Sequence, residues 1–551
     1  MTNQLKTWDK RRRNRTRRLE RAAPYATGRH VRAEHVEALL HAIIEPADRV
    51  CLEGDNQKQA DFLARALARL NPSRVHDLHM VQSVVALPEH VDLFEKGIAC
   101  EIDFSYSGPQ GGRLAALVQA GKIRINAIHT YLELFARYFV DLTPNVALIA
   151  AESADAAGNL YTGPNTEDTP AIVEATAFHD GIVIAQVNEI RETVPRIDIP
   201  AGWVDFVIVT PRANLIEPLF TRDPALISEI QVLMAMLAIR GIYAEYGVRR
   251  LNHGIGFDTA AIELLLPTYG AELGLKGKIC THWALNPHPA LIPAIEAGFV
   301  ESVHCFGSEL GMERYVAARP DVFFTAADGS LRSNRAFCQA AGHYACDLFI
   351  GSTLQIDLHG NSSTATKGRI TGFGGAPNMG ADARGRRHES PAWLQAGEEA
   401  RAGAAVIARG RKLVVQVVET FREGMEPTFV ERLDAVDLAQ TMGLRNPAVM
   451  IYGDDVSHIV TEEGIANLLL CRNFDEREQA IRGVAGYTSV GLGRDKRVVE
   501  DLRRRGAIRR PEDLGIARRK ATRDLLAARS IKDLVHASGG LYEPPSRFRN
   551  W

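Results

Sequence analysis

Two pairs of segments far apart in the chain repeat one another, and this constrains the fold more than any single motif. The run IVIAQVN at Ile182–Asn188 returns as LVVQVVE at Leu413–Glu419, and DFVIVTPRANLIEP at Asp205–Pro218 returns as SHIVTEEGIANLLL at Ser457–Leu470. Short β-branched runs without polar alternation belong to strands buried on both faces, so each copy reads as part of a parallel or mixed sheet covered by helices. Arg49–Glu53, Val146–Ala150 and Val204–Val209 supply further strands, and Leu63, Leu67 and Leu70 fall on one face of a helix between them. The fold class is α/β: two open α/β domains from an internal duplication, with a cleft between them as the natural ligand site. The TRDP turn at Thr221–Pro224 divides residues 30–224 from 225–490, and a charged segment over residues 491–551 reads as a helical cap.

Composition narrows the class further. The 551 residues are 46% hydrophobic and 24% charged with a formal net charge of −2, which is globular material without a global field for nucleic acid or membrane. The seven cysteines are odd in number, form no Cys-x-x-Cys pair and sit among apolar neighbours, as expected of buried thiols in a reducing cytoplasm. No secretory signal or membrane-spanning segment is visible. His253, His282, His288 and His304 follow no metal-ligand spacing, so no metal site is expected.

Residues 1–29 form an Arg-rich arm, with Arg11, Arg12, Arg13, Arg15, Arg17, Arg18 and Arg21 against Asp9 and Glu20. It lacks the aromatics that stack on bases, which leaves a solvated arm or one that docks on an acidic partner.

The chemistry is expected in Leu348–Gly380, a strand that exits into hydrogen-bonding residues and then glycines. Asn361, Ser362, Ser363 and Thr364 offer side-chain donors, and Gly372, Gly374 and Gly375 let backbone N–H groups approach a ligand, which together suit a developing oxyanion. A loop of this composition also simply turns a chain. Pro377 breaks any dinucleotide fingerprint, no phosphate loop is present, and Thr364 with Lys367 lacks the companion motifs of a Ser-x-x-Lys nucleophile. Arg384, Arg386, Arg387 and His388 follow as a basic strip that could hold a carboxylate or phosphate, or face solvent and a partner.

These residues resemble the CoA transferases, whose second domain carries Gly-Gln-x-Asn-Ser-Glu and then Ser-Gly-x-Gly-Gly. Gly360 and Asn361, then Ser363 and Thr364, then TGFGG at Thr371–Gly375 follow that order, while NHGIGF around Gly254 and Gly256 resembles the family's thioester-facing segment. Asp155, Gly158, Gly163 and the Val187–Asn188 strand end continue the likeness in the first half. The departure is Ala365, where that family has its nucleophilic glutamate. Retained loops, a missing nucleophile and the Arg-rich start make the chain most similar to the malonate decarboxylase α-subunit family.

That resemblance implies two CoA-transferase-like domains and an acyl exchange on a carrier, acetyl-ACP plus malonate giving malonyl-ACP plus acetate, through a mixed anhydride and without a glutamyl intermediate. It implies Asn361, Ser362, Ser363, Gly374 and Gly375 as catalytic residues, and Gly254, Gly256, Thr364, Gly372, Asn378 and Asn188 around the thioester group. It implies no permanently bound cofactor, a CoA-derived (phosphoribosyl-dephospho-CoA) prosthetic group on the acyl carrier protein as substrate with free CoA as another occupant, and decarboxylase subunits as partners, without nucleic acid or membrane. The alternatives are a citrate lyase α-type transferase, a free-CoA transferase, and a non-catalytic scaffold that docks the carrier.

Overall fold

The structure is a computed structural model that describes residues 9–551 apart from 55–56, 165, 167, 326–330, 332–339, 341, 343–344, 382–411 and 445; Cys338 and the strip Arg384, Arg386, Arg387 and His388 lie outside the described residues. The chain divides into two compact units, the first comprising residues 1–217, 368–374 and 440–445, and the second the remainder from residue 218 onward.

Unit 1 carries β1 (Ala26–Thr27), β2 (His30–Val31), β3 (Arg49–Leu52), β4 (Leu78–Val84), β5 (Ala99–Tyr106), β6 (Arg124–Ile128), β7 (Val146–Asp155), β8 (Leu160–Tyr161), β9 (Ile182–Arg191) and β10 (Phe206–Val209). They lie in the order β1-β2-β10-β9-β7-β3-β4-β5-β6, with β8 beside β7. The first six residues of β9 are all buried, as a strand covered on both faces by helices requires.

Unit 2 carries β11 (Arg250–His253), β12 (His282–Ala284), β13 (Ser302–His304), β14 (Leu348–Gly351), β15 (Gln355–Ile356), β16 (Ser362–Ser363) and β17 (Ala365–Thr366); after β18 (Arg369–Ile370), which lies in a unit 1 piece, come β19 (Leu413–Val417), β20 (His458–Thr461), β21 (Gly464–Asn467) and β22 (Ile508–Arg509). The main sheet runs β13-β12-β11-β14-β19-β20-β21-β22, and β15 pairs with β16 as a hairpin.

The two parallel cores are the same object. The order β10-β9-β7-β3-β4-β5 in unit 1 is repeated as β20-β19-β14-β11-β12-β13 in unit 2. The register also matches: Gln186 of β9 stands opposite Ala150 and Ile208, and Gln416 of β19 opposite Gly351 and Ile459. The repeated segments of the sequence are thus β9 with β19 and β10 with β20.

The chain passes from unit 1 to unit 2 between Glu217 and Pro218. Thr221, just beyond, is fastened within unit 2: its N–H and hydroxyl donate to Glu309 at 2.8 and 2.7 Å, and its oxygen lies 3.3 Å from the Tyr542 hydroxyl. Burial pushes the Glu309 carboxyl up to about 7. Beyond residue 490 the chain is less helical than its composition suggests. Helices Lys496–Arg504 and Ile531–Ala537 alternate with 3-10 turns, and Ile516, Leu526, Ile531, Leu534 and Tyr542 belong to the core of unit 2. No helix among the described residues is long and apolar enough to cross a membrane.

Candidate active site

In an open parallel sheet, ligands bind outside the carboxyl ends of the strands at the point where the strand order reverses. In unit 1 that point lies between β3 and β7, and in unit 2 between β11 and β14, since the chain leaves in opposite directions from each pair.

At the unit 1 point stands Glu53, fully buried directly after β3. Its carboxylate accepts the Ala150 N–H at 2.6 Å and the Thr169 hydroxyl, and Lys58 Nζ lies 3.4 Å away while donating to Thr169 at 2.7 Å. The charge is thereby neutralised and its lone pairs used, so this cluster reads as structural.

At the unit 2 point the backbones crowd together. The Gly254 N–H donates to the Ile350 carbonyl at 2.7 Å, and a Cβ on Gly254 would lie 3.1 Å from Gly351 Cα, so glycine is required by close approach. Gly256 differs: its φ is an extended −179° and a Cβ there would meet nothing nearer than Ser352 Oγ at 3.7 Å. The N–H groups of Ile255 and Gly256 have no hydrogen-bond partner among the described residues. The chain then enters the helix Phe257–Leu265, whose second residue is Asp258.

Asp258 was not among the residues that the sequence singled out. Its Oδ2 accepts the Ser352 hydroxyl at 2.9 Å, and its Oδ1 is enclosed without a partner among the described residues. Burial pushes this carboxyl up to about 6 against the Ser352 hydrogen bond, and the negative charges of Glu419 and Glu462 push the same way. Glu419 is raised too, by burial and by Glu462, while Gln231 donates to it at 3.3 Å. Glu462 accepts from the Thr420 N–H at 3.1 Å and from its hydroxyl. None of the three carboxyls has an ionic partner among the described residues. Such a group, enclosed and perturbed at a strand end, is what a substrate-binding or proton-holding position looks like.

The stretch read as the central loop contributes to both units. Phe373 and Gly374 N–H groups donate to the Ser105 carbonyl at 2.6 and 2.9 Å, and the Ser107 N–H donates to the Thr371 carbonyl at 2.8 Å, all within unit 1. Gly372 (φ 80°) and Gly374 (φ 57°) take left-handed conformations, and a Cβ on Gly372 would collide with the Ser105 carbonyl. Gly375 and Asn378 belong to unit 2, where Asn378 N–H donates to the Gly375 carbonyl at 3.1 Å; the N–H groups of Gly375 and Ala376 are unpaired among the described residues.

The side-chain donors of the loop are spent within unit 2. Asn361 bonds Asp357 through both its amides at 3.0 Å and accepts the Gly453 N–H at 2.9 Å, closing the β15–β16 hairpin. Ser362 and Ser363 are fully buried; the Ser363 hydroxyl donates to the Ala448 carbonyl at 2.7 Å and accepts the Ala365 N–H at 3.0 Å, and the Ser362 hydroxyl reaches the Ile451 carbonyl at 3.5 Å. Thr364 is half-buried with its hydroxyl 3.9 Å from Met450 Sδ, and Ala365 is fully buried. Asn188, in the second half of β9 in unit 1, accepts the Asn214 N–H at 2.7 Å. Gly254 and Gly256 therefore stand with Asp258, Ser352, Glu419 and Glu462, while Gly372 and Gly374 are gathered on Ser105.

The histidines take separate places. His253 and His288 each approach Glu263 Oε1 through Nδ1 at 3.0 Å, and although burial opposes it, these two rings hold the carboxyl down to about 2. His282 contacts Ser302 at 2.9 Å, and burial lowers His304.

Comparison with known proteins gives one consistent result. The family model described as malonate decarboxylase, alpha subunit, transporter matches residues 7–551. The acetyl-S-ACP:malonate ACP transferase of Malonomonas rubra is 60% identical over 550 residues, 99% of each chain. A chain in the crystal structure of a Pseudomonas malonate decarboxylase hetero-tetramer in complex with malonate superposes with a TM-score of 0.94 at 61% identity, covering 99% of this chain and 100% of that one. The citrate lyase α subunit of Streptococcus mutans shares the fold alone, with a TM-score of 0.56 at 15% identity over 94% of this chain and 87% of that one.

Proposed function

The chain belongs to the malonate decarboxylase α-subunit family, and from that premise we propose that it exchanges acyl groups on a carrier protein, converting acetyl-S-carrier and malonate into malonyl-S-carrier and acetate. The reading is carried by 60% identity to a transferase of that name over 99% of both chains. The thioester belongs to the CoA-derived prosthetic group of the acyl carrier protein, and decarboxylase subunits act on the malonyl product.

The exchange balances without any enzyme nucleophile. A malonate carboxylate oxygen attacks the acetyl carbonyl, the C–S bond breaks, and a mixed anhydride and a thiolate result. The thiolate then attacks the malonyl carbonyl, the C–O bond breaks, and acetate leaves. No net proton is consumed. Position 365 supplies no nucleophile on this route, and Ala365 is fully buried, so a glutamate there would bury a charge.

What the protein supplies is orientation, worth up to about 7–11 kcal/mol, and oxyanion donors, each worth about 3–4 kcal/mol. Because the Asn361, Ser362 and Ser363 side chains already hold the fold, the unpaired N–H groups of Ile255, Gly256, Gly375 and Ala376 are the donors this reading favours. Asp258, protonated more readily than an ordinary aspartate, suits the acceptor's second carboxylate as a hydrogen-bond donor.

The test is exchange with acetyl-carrier offered malonate and citrate separately, followed by hydroxylamine treatment of enzyme incubated with acetyl-CoA. Turnover with malonate and an unmodified enzyme are expected. A hydroxamate at Asp258 or at any other carboxylate refutes the direct anhydride route, and turnover with citrate alone refutes the acceptor.

A further inference from the structure

The N-terminal helix, Asp9–Ala22, carries eight cations against Asp9 and Glu20. Most of its arginines are used up inside unit 1. Arg18 binds Asp48 at 2.5 and 2.9 Å and Glu45 at 2.9 Å, Arg15 binds Asp205 and the Gly181 carbonyl, and Arg12 reaches Asp180 at 3.6 Å. Arg17 and Arg21 reach Glu45 at 3.0 and 2.8 Å.

The partners share one location. Asp48 immediately precedes β3, Gly181 precedes β9 and Asp205 precedes β10; Asn145, which precedes β7, lines a small hollow with Arg11, Asn14, Arg15 and Arg18. The helix is strapped across the amino ends of four parallel strands. The carboxyl ends, where β5 meets the glycine segment and β3 meets β7, are on the opposite side. The ten residues of β7 put about 30 Å between the two ends.

Three cations remain. Lys10, Arg11 and Arg13 have no ionic or hydrogen-bond partner among the described residues, and with Arg17 they surround an open concavity of about 430 Å³. Lys10, Arg13 and Arg17 recur at helical spacing on one face. Two exposed apolar groups lie near the amino ends of the same strands: Val140 is 80% exposed beside Asp141, whose carbonyl accepts from Arg49 at the start of β3, and Phe178 is 59% exposed, packed edge-on against Trp203 at 5.1 Å and two residues from Asp180, which Arg12 reaches. Unpaired positive charge beside exposed aromatic and aliphatic groups is the make-up of a protein interface, and the partner that complements it is acidic.

We infer that the amino-end face of the unit 1 sheet is an assembly surface, on which Lys10, Arg11 and Arg13 take an acidic patch of a decarboxylase subunit, with Val140 and Phe178 as apolar contacts. This rests on the multisubunit reading above. The carrier is not the occupant, because the Gly375 N–H proposed for the thioester follows directly on Gly374, which is held on Ser105 at the carboxyl end of β5, whereas this face is at the amino ends of the same sheet.

The experiment compares the wild-type chain with Lys10→Glu/Arg13→Glu, both positions being exposed and unpaired so that folding is retained. Sedimentation velocity and surface plasmon resonance measure binding to the decarboxylase subunits without carrier, and to acetylated carrier alone, at low and raised salt. Binding of the decarboxylase subunits should weaken by about tenfold or more in the variant and lose most of its salt dependence. Carrier affinity and exchange between free acetyl-CoA and malonate should stay within about twofold. Unchanged assembly overturns the inference, as does loss of carrier binding in its place. Exchange absent from the wild type as well bears on the transferase reading alone, since assembly is read without it.

Discussion

The two switch points differ in charge although their strands match in order and register. In unit 1, Glu53 is bound to Lys58 and Thr169; in unit 2, the side chain that Asp258 bonds among the described residues is Ser352, and it shares its surroundings with Glu419 and Glu462. The glutamines repeat the contrast. Gln186 accepts the Leu63 N–H at 3.0 Å and donates to Asp61 and Asn214 at 3.0 and 2.6 Å, whereas Gln416, also fully buried, has neither its oxygen nor its nitrogen paired among the described residues. Duplicated backbones can thus be kept while one copy satisfies its polar groups and the other leaves them open. At these two matched positions the open polar groups are the ones in unit 2.

The largest effect expected from this contrast is on stability in unit 1. Lys58→Met leaves the Glu53 charge buried without its cation and should cost about 3–5 kcal/mol, read from urea unfolding. A variant as stable as wild type would show that the ion pair is not what holds this corner.

Next comes turnover in unit 2. Gly256→Val adds a Cβ that makes only ordinary contacts, Ser352 Oγ at 3.7 Å being the nearest, but beside the N–H groups assigned to the oxyanion, so exchange should fall about 100- to 1,000-fold while the melting temperature holds. Near-native turnover would remove this strand exit from the site.

The glutamines should respond with opposite signs. Gln186→Leu strips partners from Asp61, Asn214 and the Leu63 N–H and should cost about 1–3 kcal/mol, whereas Gln416→Leu removes an orphaned carboxamide and should be neutral or stabilising by about 1 kcal/mol. Equal losses from chemical denaturation of both variants would mean that Gln416 is satisfied in solution.

The smallest effect is a pH dependence. The folded pKa of Asp258 is raised from 3.8 to about 6, so its contribution to stability is complete below the unfolded value and is lost as pH rises through about 6. Asp258→Asn should therefore be more stable than wild type by about 1–2 kcal/mol at pH 8, a gain that disappears near pH 4. A difference independent of pH would place the Asp258 carboxyl in ordinary solvent.

The parallel cores were legible because β-branched runs buried on both faces leave few alternatives, and both copies of β9 and β10 are such runs. The destination of a donor was less legible. Asn361, Ser362 and Ser363 have the hydrogen-bonding capacity read from the sequence, but a hydroxyl next to a turn serves a carbonyl of its own hairpin as readily as a substrate. Asp258 and Glu419 escaped notice because they are far apart in sequence and become neighbours only through the order β11-β14-β19. Their signal was nonetheless present: an aspartate two residues after the Gly-Ile-Gly exit, and a glutamate ending the repeated run. The arm's ion pairs were invisible for the same reason, since its acidic partners come from loops before separate strands.

The division of the chain also sets a timetable for its synthesis. Unit 1 is nearly all translated by residue 217 but takes its last pieces from residues 368–374 and 440–445, and the core of unit 2 extends from Ile227 to Tyr542. At about 5–20 residues per second, a ribosome needs roughly 8–30 s to pass from residue 217 to residue 374. For that interval unit 1 must persist with the place of the glycine segment beside Ser105 unfilled, so the groups that await residues 371–374 are open to solvent and to chaperones during translation.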